Sequence, residues 1–250
     1  MEKSRKVLLE TQHLSVEFNG FQALTDVSIK IYSGELRVII GPNGAGKTTF
    51  MDLVTGKTAP TSGKIFFEGH NITGKSTAEI TRNYRIGRKF QGPNVFDNMT
   101  VEENIQIAVE GYNSLFQCVF FHRTEKFRQR VEEILKLIDL YEYRHFMASD
   151  LSHGQRQWLE IGMVVAQNPK LIILDEPTAG MTADETYKTG EMIKKLKGDH
   201  TLIVVEHDMD FVRQVAEYVT VLNYGRLLAE GTLEEVQNNK DVVAVYLKED

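Results

Sequence analysis

Apolar residues change their spacing along this chain, and the change divides it into thirds. In the first third they come in short runs broken by glycine and polar turns. Leu8 to Phe18, Val27 to Ile31 and Lys64 to Phe67 predict strands, with turns at Gly20, Ser33-Gly34 and Ser62-Gly63. In the middle third the spacing becomes helical over Val101 to Val109, Thr124 to Ile138 and Gln155 to Ala166. Phe127, Val131, Ile134, Leu135 and Ile138 fall on one face of the second of these. The last third alternates again. Leu171 to Leu174 and Leu202 to Val205 are continuous apolar runs, the pattern of parallel strands buried on both faces. Val219 to Leu222 and Leu227 to Ala229 predict a closing hairpin around Tyr224-Gly225. No internal repeat or low-complexity tract interrupts this order, so the pattern predicts an α/β frame with a helical insertion.

Composition narrows the classes. A chain of 250 residues can bury one substantial core, with 42% hydrophobic and 26% charged residues in the ordinary globular range. A net charge of −6 gives no footprint for a nucleic-acid partner. Cys118 is the only cysteine, which excludes an internal disulfide and suits a reducing cytosol. No apolar run reaches the roughly 18 residues of a membrane-spanning helix, and Val7-Leu8-Leu9 is too short for a signal-peptide core. The expected location is therefore cytoplasmic.

Gly41-Pro-Asn-Gly-Ala-Gly-Lys-Thr48 fits G-x-x-x-x-G-K-[ST], the loop that wraps nucleotide phosphates. The apolar run Leu36 to Ile40 precedes it as a strand, and Thr48, Thr49, Phe50, Met51 and Leu53 follow as a helix start. Glycines admit backbone N–H groups to the phosphates, and the helix N-terminus adds partial positive charge. Candidate nucleotide-binding residues are Gly41, Asn43, Gly44, Ala45, Gly46, Lys47, Thr48 and Thr49. Lys47 suits the β- and γ-phosphates, and the Thr48 hydroxyl suits Mg²⁺. Four apolar residues lead into Asp175 and Glu176, a strand ending in a metal-binding acid followed by a candidate general base. His207 follows a second apolar strand at its carboxyl end, where α/β proteins bind ligands.

Leu151-Ser-His-Gly-Gln155 precedes the third helical segment. A P-loop, an L-S-x-G-Q segment, a strand ending Asp175-Glu176 and a further strand ending in His207 together resemble an ABC-type ATPase over essentially the whole chain. The resemblance implies a P-loop NTPase (RecA-like) core with an N-terminal antiparallel β subdomain and an inserted α-helical subdomain. It places the core at 1–91 and 168–250 and the helical subdomain at 92–167, within one domain spanning 1–250. It implies ATP and Mg²⁺ as ligands, ATP hydrolysis as the activity, and a head-to-tail dimer. In that dimer Ser152, Gly154 and Gln155 reach ATP held by the opposite subunit. Asp175, Thr48 and Gln91 attend the metal. Glu176 and His207, with Gln91, act on the attacking water. Phe18 is the expected adenine-stacking aromatic, with Phe21 its competitor.

Two positions depart from the family pattern. His153 stands where the signature usually has glycine and is read as a surface spacer. Thr182 stands where the loop after Pro177 often ends in aspartate, leaving a cross-dimer contact in doubt. The basic cluster Arg82, Arg85, Arg88 and Lys89 is read as a solvated face.

Finer stretches resemble the branched-chain amino acid and amide importer class. They are Arg88-Lys-Phe-Gln91, Phe96 to Asn104, Ala179-Gly-Met181 and the tail Tyr246-Leu247. Leu151 to Met163 is similar to the first ATPase subunit of bacterial urea importers, so urea is the expected solute and another amide or branched-chain amino acid the alternative. Expected partners are membrane permease subunits, which hold the chain on the inner face of the cell membrane, and a second ATPase subunit, related or identical. A periplasmic or extracellular solute-binding protein would act indirectly.

Overall fold

A computed structural model describes residues 6–89, 95–110 and 124–246. Its frame is a six-stranded sheet in the order β11-β10-β4-β9-β8-β7, parallel except for β11. These strands are β4 (Leu36–Ile40), β7 (Ile86–Lys89), β8 (Leu171–Asp175), β9 (Thr201–Val205), β10 (Tyr218–Asn223) and β11 (Arg226–Gly231). Every residue of β4, β8 and β9 is buried, as continuous apolar runs require. Because strand side chains alternate between faces, each run divides between two cores. Leu36, Val38, Ile172, Leu174, Leu202 and Val204 belong to one, with Phe127, Ile134, Leu159 and Ile193 of the helices. Ile39, Leu171, Ile173, Ile203 and Val205 belong to the other, with Phe50, Leu14, Leu24 and Phe67. Full burial of one such aliphatic side chain stabilises by about 1.5–3 kcal/mol, so the sheet is secured from both sides.

The second core is closed by an antiparallel sheet of β1 (Val7–Phe18), β2 (Phe21–Val27), β3 (Lys30–Tyr32), β5 (Ser62–Phe67) and β6 (His70–Asn71). The strand expected over Val27 to Ile31 does not form. The chain is interrupted at Ser28–Ile29, where the Thr11 hydroxyl donates to the Val27 carbonyl and accepts from the Ile29 N–H, so β2 ends at Val27 before β3 begins at Lys30. The first core is covered by α2 (Val101–Glu110), α3 (Glu125–Leu137), α4 (His153–Ala166), α5 (Ala183–Leu196) and α6 (Met209–Val215), while α1 (Lys47–Val54) follows β4. Asn104, fully buried on α2, donates to the carbonyls of Phe96 and Thr100 and accepts from the Phe96 N–H, fixing the approach to that helix. Strand β7 was not foreseen, because its last two residues are charged.

Candidate nucleotide and water-activating site

The carboxyl ends of β4, β9 and β8 lie side by side, with Ile39 paired to Val205 and Val205 to Asp175. Each strand delivers its functional residues in the next one or two positions. After β4 comes the glycine loop. Gly41 has φ 152°, and a Cβ there would lie 2.2 Å from the Leu222 carbonyl oxygen, so only glycine fits. Gly46 precedes α1 at φ 96°, and a Cβ would meet the Ala23 carbonyl oxygen at 2.9 Å. Gly225 docks the β10–β11 turn on this loop by donating to the Ala45 carbonyl at 3.1 Å, which sets the exposed Tyr224 beside it. Lys47 Nζ donates to the Gly41 and Pro42 carbonyls at 2.5 and 3.0 Å. Asn43, Gly44 and Thr48 are exposed, and Thr49 is half-buried.

Asp175 closes β8 and is 2% exposed. Its Oδ2 accepts from Arg88 Nη2 at 3.0 Å, while its Oδ1 is buried with no hydrogen-bond partner among the described residues. A buried carboxylate oxygen without a donor is costly, so this oxygen suits a cation or a cation-bound water. The residues present therefore fit Mg²⁺. Arg88 was expected on a solvated face and is instead buried, as is Lys89. Arg88 Nη1 also meets Asp52 Oδ1 of α1 at 2.5 Å, and Lys89 Nζ lies 3.4 Å from Glu160 Oε2 of α4. Their strand is the edge of the parallel sheet, but both side chains are covered, and a buried charge must be paired to be tolerated. Arg82 and Arg85 are exposed, as expected.

Glu176 follows at φ 47°, a left-handed conformation that costs a non-glycine residue on the order of 1 kcal/mol. Its N–H donates to the Val205 carbonyl at 2.9 Å, which holds it against the end of β9. His207 Nδ1 lies 3.7 Å from Glu176 Oε1 and 3.9 Å from Glu206 Oε2, and its side chain is 70% exposed. The structure thus brings together Asp175, Glu176 and His207 beside the glycine loop. Beside His207 lies Glu206, 1% exposed, which sequence reasoning passed over. Its Oε1 accepts from the Thr178 N–H and hydroxyl at 3.1 and 2.6 Å, and its Oε2 accepts from the His207 N–H at 3.2 Å.

Ser152 caps α4 and forms a reciprocal pair with Gln155: the Ser152 hydroxyl accepts from the Gln155 N–H, and Gln155 Oε1 accepts from the Ser152 N–H. Gly154 is buried against Glu185 of α5. His153 is tied down, contrary to its reading as a spacer, through a 3.0 Å bond from Nε2 to the Ala179 carbonyl oxygen. Thr182 caps α5, accepting from the Glu185 N–H while Glu185 accepts from the Thr182 N–H and hydroxyl. Phe18 and Phe21 pair across the β1–β2 hairpin, and both are exposed. Gln91 lies outside the described residues.

Comparison with known proteins settles the family. The family model described as ABC transporter matches residues 24–179. This chain belongs to the ABC transporter family. It is accordingly a transporter ATPase, and its family uses ATP, generally with Mg²⁺. A second model, described as branched-chain amino acid ATP-binding cassette transporter, matches residues 226–247. Among relatives, a probable branched-chain amino acid transport ATP-binding protein of Archaeoglobus fulgidus is 38% identical over 245 residues, covering 96% of this chain and 95% of the relative. A high-affinity branched-chain amino acid transport ATP-binding protein of Escherichia coli K12 is 35% identical over 251 residues, covering 97% and 98%. A nucleotide-free ATP-binding cassette from an ABC transporter superposes with a TM-score of 0.83 at 32% identity, covering 96% of this chain and 98% of that one. A dimeric cassette in a post-hydrolysis state with ADP and phosphate gives 0.76 at 27% identity, covering 90% and 99%. The expected fold class, an ABC cassette with a P-loop NTPase core, is the one observed. No helix among the described residues is long and apolar enough to cross a membrane.

Proposed function

We propose that this ABC ATPase powers an importer of the branched-chain amino acid and amide class. The observation that carries the catalytic part is the convergence, at the ends of three adjacent strands, of Lys47, an Asp175 Oδ1 with no hydrogen-bond partner among the described residues, and the Glu176–His207 pair 3.7 Å apart. Gly41, Asn43, Gly44, Ala45 and Gly46 offer backbone N–H groups to the phosphates of ATP, with Lys47, Thr48 and Thr49 beside them. Thr48 and Asp175 would hold Mg²⁺, with Gln91 as a further ligand, and the bound ion would supply charge neutralisation for the phosphates. Glu176 accepts a proton from the attacking water, and His207 orients that water and the terminal phosphate. Arg88 occupies one oxygen of Asp175, leaving the other for the metal. Phe18 stacks on the adenine. Ser152, Gly154 and Gln155 face the ATP of a second ATPase subunit, a related chain by the habit of this class, or an identical one.

The importer class is supported by the match over residues 226–247 and by the names of the relatives. Urea is the narrower reading, and its support is the stretch Leu151 to Met163 alone; the relatives favour a branched-chain amino acid. The division into a core at 1–91 and 168–250 and a helical subdomain at 92–167 is part of the same proposal. So is a surface for the permease. Phe96, Tyr143, Phe146 and Met147 are all exposed, and Val101 N–H bonds to the Phe146 carbonyl, so two of these segments adjoin. Apolar surface of this kind marks an interaction site. Docked there, the chain sits on the inner face of the cell membrane, and a solute-binding protein outside supplies the cargo. The test is recovery of tagged Glu176→Gln protein from detergent-solubilised native membranes with Mg-ATP. A polytopic permease and a second ATPase should co-purify, and uptake by the reconstituted complex should follow a branched-chain amino acid. Uptake of urea instead would select the narrower reading; recovery of soluble partners only would overturn both.

A further inference from the structure

The loop from Pro177 to Thr182 is held from two sides by residues with no assigned role. On one side is Glu206. One carboxylate oxygen takes both the Thr178 N–H and the Thr178 hydroxyl, and the other takes the N–H of His207. A single buried carboxylate thus links the histidine of the water-activating pair to the second residue beyond Glu176. On the other side is His153. Its Nε2 lies 3.0 Å from the carbonyl oxygen of Ala179, the residue after Thr178. A carbonyl oxygen only accepts, so this contact is a hydrogen bond in the ring form that carries a proton on Nε2; the Gln157 side-chain amide lies 3.3 Å from the same nitrogen. Gly180 leaves room for the ring, since a Cβ there would come within 3.2 Å of Nε2. The far end of the loop is tied to the same place. Glu185 accepts from Thr182 and lies 3.5 Å from the Ser152 hydroxyl. An unbroken series of contacts therefore runs from His207 through Glu206, Thr178, Ala179 and His153 to Ser152.

We propose that Glu206 and His153 are positioning residues that pass the state of one nucleotide site to the loop serving the other. Glu206 sets the 177–182 loop by the arrangement of Glu176 and His207. His153 hands that setting to Ser152–Gln155 of the same subunit. Glycine at position 153 has no side chain to make this link. The proposal rests on the ATPase reading given above.

Amide exchange on the full-length chain, diluted until monomeric, tests it with and without Mg-ATP. In the wild type, ATP should slow exchange in peptides covering 41–49 and also change it in peptides covering 151–157. His153→Gly and Glu206→Gln should each lose the second response and keep the first. His153→Gln, whose amide can donate to Ala179, should restore it. The double variant should show no further loss than either single one, as links in series require. Retention of the 151–157 response in both single variants, or its absence from the wild type, would overturn the proposal. Absence of protection at 41–49 in the wild type would instead remove the nucleotide site itself.

Discussion

Lys47 Nζ donates to two neutral carbonyl oxygens, those of Gly41 and Pro42. A phosphate oxygen is a charged acceptor and makes a stronger bond with the same ammonium. Lys47→Ala should therefore weaken ATP binding by about 2 kcal/mol, roughly 30-fold by calorimetry, taking the usual worth of a hydrogen bond to a charged group. Arg88 is the other residue on which the site's charge balance turns. It stands between Asp52 and Asp175, with its own side chain only 3% exposed. Removing one member of a buried ionic cluster strands the others, so Arg88→Met should lower stability by about 3 kcal/mol in urea unfolding. Unchanged stability would mean that both aspartates find other partners. The glycine loop, Asp175, Glu176 and His207 were legible in the sequence because each stands at a fixed offset from an apolar run. Arg88 and Lys89 were misread because a cluster of cations ordinarily marks a wet surface; their pairing partners, Asp52 and Glu160, lie far away in the chain. Glu206 was legible only as an acid beside a histidine, since its second partner, Thr178, belongs to another strand's loop.

At the scale of elements, the long apolar runs decided what could be foreseen. Strands β4, β8 and β9 and helices α2 to α4 were read because period and burial agree along their whole length. Strand β7 was missed because two of its four residues are charged, and β2 because only Ala23, Leu24 and Val27 of its seven are buried. Helix α5 carries a testable device at its start. The Glu185 carboxyl is held below the usual glutamate range, first by the backbone N–H of Thr182, then by the Thr182 hydroxyl, with the Ser152 hydroxyl and His153 adding smaller contributions. A carboxylate with a depressed folded-state pKa stabilises fully above its unfolded value, near 4.3, and loses that stabilisation as pH falls through the folded value. Thr182→Ala should thus cost about 1 kcal/mol at neutral pH. The gap between variant and wild type should narrow below about pH 4, as read from urea midpoints. A gap that widened on acidification would contradict the sign.

At the scale of the molecule, the parallel sheet separates two tasks. One face carries the glycine loop and the antiparallel sheet; the other carries the helices, and Phe96, Phe146 and Met147 are exposed in the segments that lead into α2 and α4. This separation predicts independent failure. Phe146→Glu should leave ATP affinity within about twofold of wild type, because surface substitutions away from a site cost little. The same change should abolish co-purification with the permease. Chemistry, by contrast, should fail through the residues at the strand ends and at the starts of α1 and α4. The central claim is that Glu176 takes the proton from the attacking water while Lys47 and the glycine loop hold the nucleotide. Phosphate release by Glu176→Gln, measured at saturating Mg-ATP alongside its ATP affinity, addresses that claim directly. Near-native affinity with phosphate release reduced by at least about 100-fold, the usual worth of a general base, is the expected result. Phosphate release at the wild-type rate with ATP bound would contradict it.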